Sequence, residues 1–191
     1  MEIGAFLFAV GALLLTPGPT NTLMALAGAS VGFGRAVRLV PAEIGAYLLT
    51  TVPLALVGTE ILTRWPGASS GLKLVAAVWV LFLAVRLWNP ATSTEDRRFV
   101  TARGIFVTTL LNPKALIFGL VLLPASNTGD LAVHFVVFVA AIAGAALAWA
   151  GGGHMLRRDR TSAEPSPLLR RLAAGRLAFV AIGAFAAALP T

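Results

Sequence analysis

Three stretches of this sequence hold residues that could bind or move a charged solute. Thr16-Pro17-Gly18-Pro19-Thr20-Asn21 interrupts an apolar run near the N-terminus, and Asn112-Pro113-Lys114 interrupts another at mid-chain. Proline has no N–H, so in a helix the carbonyl four residues earlier loses its partner. Pro17 is expected to free the Leu13 carbonyl, Pro19 that of Leu15 and Pro113 that of Thr109. Such carbonyls suit an ammonium group, and the N-terminus of the half-helix that follows suits a carboxylate. A site with both features suits a zwitterion. Lys114 adds a charge within an apolar segment, which costs at least about 2.5–3.5 kcal/mol at mid-bilayer and marks a functional site by default. In an unbroken helix Asn112 and Lys114 would point about 200° apart, whereas a break at Pro113 lets both face one cavity. The third stretch is a stripe: Glu43, Tyr47, Thr50 and Thr51 recur at i, i+4, i+7 and i+8 on a mostly apolar helix. The stripe reads as one wall of a cavity, with Thr109 on the other broken helix. Glu43 is read as an ammonium partner or proton carrier, or else as a partner of Arg35 or Arg38. Glu43 and Lys114 are therefore the candidates for proton coupling.

Other polar residues carry less chemistry. Glu60 and Arg64 form an i,i+4 pair. Asp130 and His134 have the same spacing and read as a helix cap, and His154 as an interfacial residue. The chain has no Cys and two His, which argues against disulfides, thiol chemistry, a transition-metal site or a metal cofactor. With no paired intramembrane carboxylates and no nucleophile elbow, nothing marks an enzyme.

The elements that must position these residues follow from composition. Of 191 residues, 58% are apolar and 12% charged, against about 25% charged in an ordinary soluble domain. Mean hydropathy is +0.86. A span needs about 20 apolar residues, so the chain suits six spans with short loops. The first apolar run, Ile3 to Val31, would be about 43 Å long as a helix, too long for one straight span through a hydrocarbon core of about 30 Å. No basic residue precedes Arg35, so this run is read as a retained span rather than a secretory signal. The others fall at 39–62, 72–89, 104–125, 131–153 and 172–190. Turn residues separate them at Gly32-Phe33-Gly34-Arg35, Trp65 to Ser70, Asn89-Pro90 to Arg103, Pro124 to Asp130, and 157–171.

The net charge is +7, yet its distribution argues against a nucleic-acid partner. Twelve of the 15 basic residues lie in three loops: Arg35 and Arg38; Arg86, Arg97, Arg98 and Arg103; Arg157, Arg158, Arg160, Arg170, Arg171 and Arg176. This bias makes loops 1–2, 3–4 and 5–6 cytoplasmic and both termini external. The expected fold is an all-α membrane protein: one transmembrane domain over 1–191, built as two inverted three-helix repeats, 1–97 and 98–191. Helices 1 and 4, the first of each repeat, are both broken at Pro motifs, the arrangement that locates transporter binding sites. Gly28-xxx-Gly32 and the Ala/Gly-rich faces of spans 5 and 6 suit close helix packing and could also serve a homodimer.

At Thr16-Pro17-Gly18-Pro19, Gly32-Phe33-Gly34-Arg35-Ala36 and Leu111-Asn112-Pro113-Lys114-Ala115, the chain resembles the LysE/RhtB family of amino-acid exporters. Leu72-Lys73 at the start of span 3 and Leu123-Pro124 at the end of span 4 are also similar. Two departures concern the substrate: Thr20 precedes Asn21 after the second proline, and Leu49 stands four residues after Gly45. The resemblance implies a six-helix bacterial inner-membrane exporter of amino acids or related small metabolites, driven by the proton motive force. It also implies that the two Pro motifs line the pathway. Asn21 and Asn112 are then expected to hold the unwound segments and hydrogen-bond substrate, and Lys114 to attract its carboxylate. The other reading is efflux of another solute class, such as a cation or an organic base.

Overall fold

A computed structural model describes residues 2–65, 67–88, 100–123, 131–156 and 167–186, and every regular element among them is helical. The first apolar run forms α1 (Ile3–Leu15) and α2 (Pro19–Val31), bent by 63° at the break between them. Gly18 is the N-cap of α2 and Pro19 its first helical residue, where a missing N–H costs nothing. Gly32 ends α2 at φ 85°, the one residue with positive φ among those described. That left-handed conformation suits glycine.

Helix resumes at once in α3 (Phe33–Ala36) and passes through a 3-10 turn, Val37–Leu39, into α4 (Val40–Arg64). The expected turn at 32–35 thus shrinks to Gly32, because one left-handed residue is enough to redirect the chain. Gly32 is accordingly the helix terminator of α2. α5 (Gly67–Trp88) likewise starts before residue 72, since the Gly-Ala-Ser-Ser segment takes up the first helical turn.

The second interrupted run forms α6 (Ala102–Leu110) and α7 (Pro113–Ile117), the latter continuing as a wide π-helical turn, Phe118–Leu122. The bend is 51°. The Thr101 hydroxyl caps α6 by accepting from the Gly104 N–H at 3.1 Å. α8 (Leu131–Met155) and α9 (Pro167–Ala186) complete the described chain. The loop residues Pro66, Asn89 to Arg98, Pro124 to Asp130, and Arg157, Arg158 and Arg160 lie outside the described residues. Arg176, counted above with loop 5–6, lies inside α9.

Two segments, Phe33–Gly58 and Leu131–Met155, are each long and apolar enough to cross a bilayer, and the count rises to four if each bent pair is one span. α5 and α9 are not among these. Large apolar side chains are exposed along the outer faces, including Phe8 and Phe179, both 79% exposed, and Val136, 70% exposed. Water would disfavour so much exposed apolar surface, and lipid would not.

The helices pack in a definite pattern. α9 lies along α5, α2 and α1 lie against α8, and α4 lies against α6 and the π-helical turn. Two apolar clusters result. One joins Leu23, Val80, Leu83, Ala150 and Leu177, and the other joins Phe6, Leu14, Phe118, Phe138 and Ile142. Glycines set the closest approaches. A Cβ on Gly28 would stand 1.9 Å from the Ala150 carbonyl oxygen, and one on Gly153 1.8 Å from that of Ala25. Side-chain-free contact of this kind lets α2 and α8 backbones touch. Gly119 does the same against α4, where its Cβ would fall 2.6 Å from Leu54 Cβ and 3.2 Å from the Thr51 backbone.

Candidate functional site

The two helix breaks meet. Asn112 ends the unwound segment between α6 and α7, and its Oδ1 caps α7 by accepting from the Lys114 N–H at 3.1 Å. Its Nδ2 reaches across to the first break, donating to Thr20 Oγ1 at 3.1 Å, and to the Tyr47 hydroxyl at 3.4 Å. Thr20 Oγ1 also lies 3.1 Å from Thr109 Oγ1. Thr20, Thr109, Asn112 and Tyr47 are all buried. One polar cluster therefore ties α2, α4 and the α6–α7 break together, with each member making at least one hydrogen bond inside the protein.

Lys114 closes the first break. Its Nζ donates to the Leu13 carbonyl at 2.8 Å and to the Thr16 carbonyl. Leu13 is the residue whose helical acceptor role Pro17 removes, so the ammonium supplies the donor that the proline cannot. Asn21 completes the closure from the start of α2: its Nδ2 donates to the Leu14 carbonyl at 2.6 Å and the Thr16 carbonyl at 2.9 Å. With the Thr16 hydroxyl, which donates to the Ala12 carbonyl at 2.7 Å, three side chains thus cap the C-terminal end of α1, one of them a cation at the negative end of the helix dipole. Gly18 makes room for that cation. Its backbone is extended, at φ −154° and ψ 178°, which any residue adopts, but a Cβ there would come within 3.1 Å of Lys114 Cε and Nζ.

The sequence-derived candidates divide into those the fold brings together and those it does not. Thr16, Pro17, Gly18, Pro19, Thr20, Asn21, Asn112, Pro113 and Lys114 form or flank the joined breaks, and Tyr47 and Thr109 complete the cluster. Thr50 instead donates to the Ala46 carbonyl of its own helix at 3.1 Å. Thr51 lies against Gly119, its hydroxyl buried without a hydrogen-bond partner. The Thr109 carbonyl is not free: it accepts from the Asn112 N–H at 3.0 Å, because the chain tightens by one residue before Pro113. Glu43 is 1% exposed, and neither carboxylate oxygen has a hydrogen-bond partner. Arg35 and Arg38 are exposed, and the charged group whose field Glu43 feels is Lys114. Elsewhere, Glu60 and Arg64 pair at 2.8 Å on the surface. His134 is buried with its ring edge-on to Phe6, and Asp130 lies outside the described residues.

Sequence reasoning missed a cleft. Two adjoining cavities, of about 570 and 770 Å³, run between α2, α8 and α9 and share Thr22, Leu172 and Arg176. The smaller reaches Thr16, Pro17 and Gly18, so the break that holds Lys114 also borders this space. Arg171 and Arg176 line it. Their positive charge was legible, but which element they would face depends on how α9 packs. Comparison with protein-family models, with curated proteins and with solved structures finds no match to this chain.

Proposed function

We propose that this chain is a secondary exporter of amino acids or related small zwitterions across the bacterial inner membrane, driven by the proton motive force. In this reading α1–α2, α4, α5, α6–α7, α8 and α9 are six spans of two inverted repeats, with both termini outside and the basic loops in the cytoplasm. The observation that carries it is the joining of two interrupted helices through Lys114, whose ammonium holds the Leu13 and Thr16 carbonyls. Unwound backbone inside a bilayer is tolerated where it is buried in protein or lines a cavity, and paired interruptions in corresponding helices are a transporter feature.

The packing pattern also supports the repeats. Exchanging the two three-helix halves maps the contact of α1–α2 with α8 onto that of α6–α7 with α4, and leaves the α5–α9 contact unchanged. The Pro motifs, with their resemblance to the LysE/RhtB exporters, support the substrate class.

The mechanism follows from the cluster. Lys114 latches the second repeat onto the break in the first, and Glu43 is the buried carboxyl group whose field it feels. Taking up or losing a proton at Glu43 changes the charge beside the latch, and releasing the latch frees α1 to move against α2. Asn112 and Asn21 keep the unwound segments hydrogen-bonded as they move. The test is export from cells loaded with dipeptides, comparing wild type with Lys114→Ala and Asn112→Ala. Loss of export in both is expected. Wild-type rates in both variants would remove the site from the mechanism.

A further inference from the structure

We propose that the cleft between α2, α8 and α9 is the vestibule that holds the exported molecule, and that its ligands are small carboxylates with an apolar body. The proposal rests on the exporter reading and names its substrate class. The two adjoining cavities, about 570 and 770 Å³, fall in the range of small-molecule sites. Their walls are largely apolar, with Leu26, Trp149 and Leu177 among them. The charged side chains lining them are Arg171 and Arg176, and no carboxylate is among the lining residues. Neither arginine has an ion-pair partner among the described residues. Arg176 lines both cavities, and lies about 14 Å along α9 from its first residue at 1.5 Å per residue. A guanidinium fork grips a carboxylate through two parallel hydrogen bonds.

This lining selects by charge. A ligand with a carboxylate meets Arg176, whereas one with an additional cation meets two guanidiniums and no acid. Neutral apolar amino acids are favoured over lysine, arginine and organic bases. The cleft ends at Thr16, Pro17 and Gly18, so a ligand seated there touches the backbone that Lys114 latches. Glycine keeps the space open: a Cβ on Gly152 or Gly175 meets nothing within 4 Å. A larger side chain at Gly175 therefore fills the cleft without a first clash, and leaves helix propensity no worse than glycine's.

The test uses the full chain in nanodiscs of phosphatidylcholine, titrated with leucine, leucinamide and arginine while tryptophan fluorescence is followed, since Trp149 lines the cleft. Leucine is expected to bind at least tenfold more tightly than leucinamide or arginine. Arg176→Gln is expected to weaken leucine at least tenfold, with partial recovery in Arg176→Lys. Gly175→Leu is expected to abolish binding with unchanged thermal unfolding. Absence of leucine binding, equal affinity for leucine and leucinamide, or binding only of added phosphatidylglycerol would overturn the proposal. Leucine uptake into everted vesicles, run in parallel, separates this inference from the exporter reading. Proton-driven uptake that survives Gly175→Leu and Arg176→Gln overturns the vestibule alone. Carboxylate-selective, Arg176-dependent binding without proton-driven uptake supports the vestibule and overturns the exporter.

Discussion

Replacing Lys114 by methionine removes the ammonium while keeping most of the side chain's length and apolar stem. The Leu13 carbonyl loses the donor that replaced its helical partner, and an unsatisfied, partly buried carbonyl costs about 1–3 kcal/mol. The Thr16 carbonyl keeps one donor, Asn21 Nδ2 at 2.9 Å, so it adds little to the single-variant cost. Lys114→Met is therefore expected to lower stability by about 1–3 kcal/mol, read from denaturant unfolding in a fixed detergent. The shared acceptor makes a sharper statement. In the Lys114→Met, Asn21→Ala double variant, Thr16 loses both donors, so the combined cost should exceed the sum of the single costs by about 1 kcal/mol. Asn21→Ala alone already exposes the Leu14 carbonyl, whose bond to Asn21 is 2.6 Å. A Lys114→Met protein as stable as wild type, or strictly additive costs in the cycle, would refute the account of the first break as a carbonyl end capped jointly by these two side chains.

Two further predictions concern packing and coupling. Gly28→Ala puts a methyl 1.9 Å from the Ala150 carbonyl oxygen, so α2 and α8 must separate; a loss of about 1–3 kcal/mol or more is expected. Gly144→Ala, on α8 with nothing within 4 Å of its Cβ, should be neutral or slightly stabilising by the same unfolding assay. Glu43→Met removes a buried carboxyl group that has no hydrogen-bond partner. Its stability should stay within about 1 kcal/mol of wild type, while proton-driven export falls at least tenfold. A destabilised but fully active Glu43→Met protein would show the carboxyl group to be structural.

Local chemistry made much of this site legible in the sequence. Pro17, Pro19 and Pro113 located both helix breaks, because a missing N–H acts within one turn. The same rule identified the Leu13 carbonyl as orphaned and an ammonium as its fitting partner. That the ammonium belongs to Lys114, 101 residues away, depends on how α1 and α7 dock, which no local pattern records. The Thr109 carbonyl was read as free because the rule assumes regular i,i+4 spacing up to the proline, whereas the turn before Pro113 pairs it with Asn112. The stripe of Glu43, Tyr47, Thr50 and Thr51 was read correctly as periodic, yet only Tyr47 joins the cluster. Helical period fixes a face but not the depth at which a neighbour crosses it. The Gly-rich face of span 5 was legible as a packing surface and Gly153 is its contact point with α2, whereas Gly119 went unnoticed, since a single glycine's use as a contact appears only once another backbone lies against it.

The central claim, that the joined breaks belong to a proton-driven amino-acid exporter, is most directly tested by amino-acid export profiling of an overexpressing strain with and without an uncoupler. The account predicts export of neutral apolar amino acids that the uncoupler abolishes and that Lys114→Met reduces at least tenfold at equal protein level. Amino-acid release that is unchanged by overexpression, or that is identical with the uncoupler and in Lys114→Met cells, would contradict it.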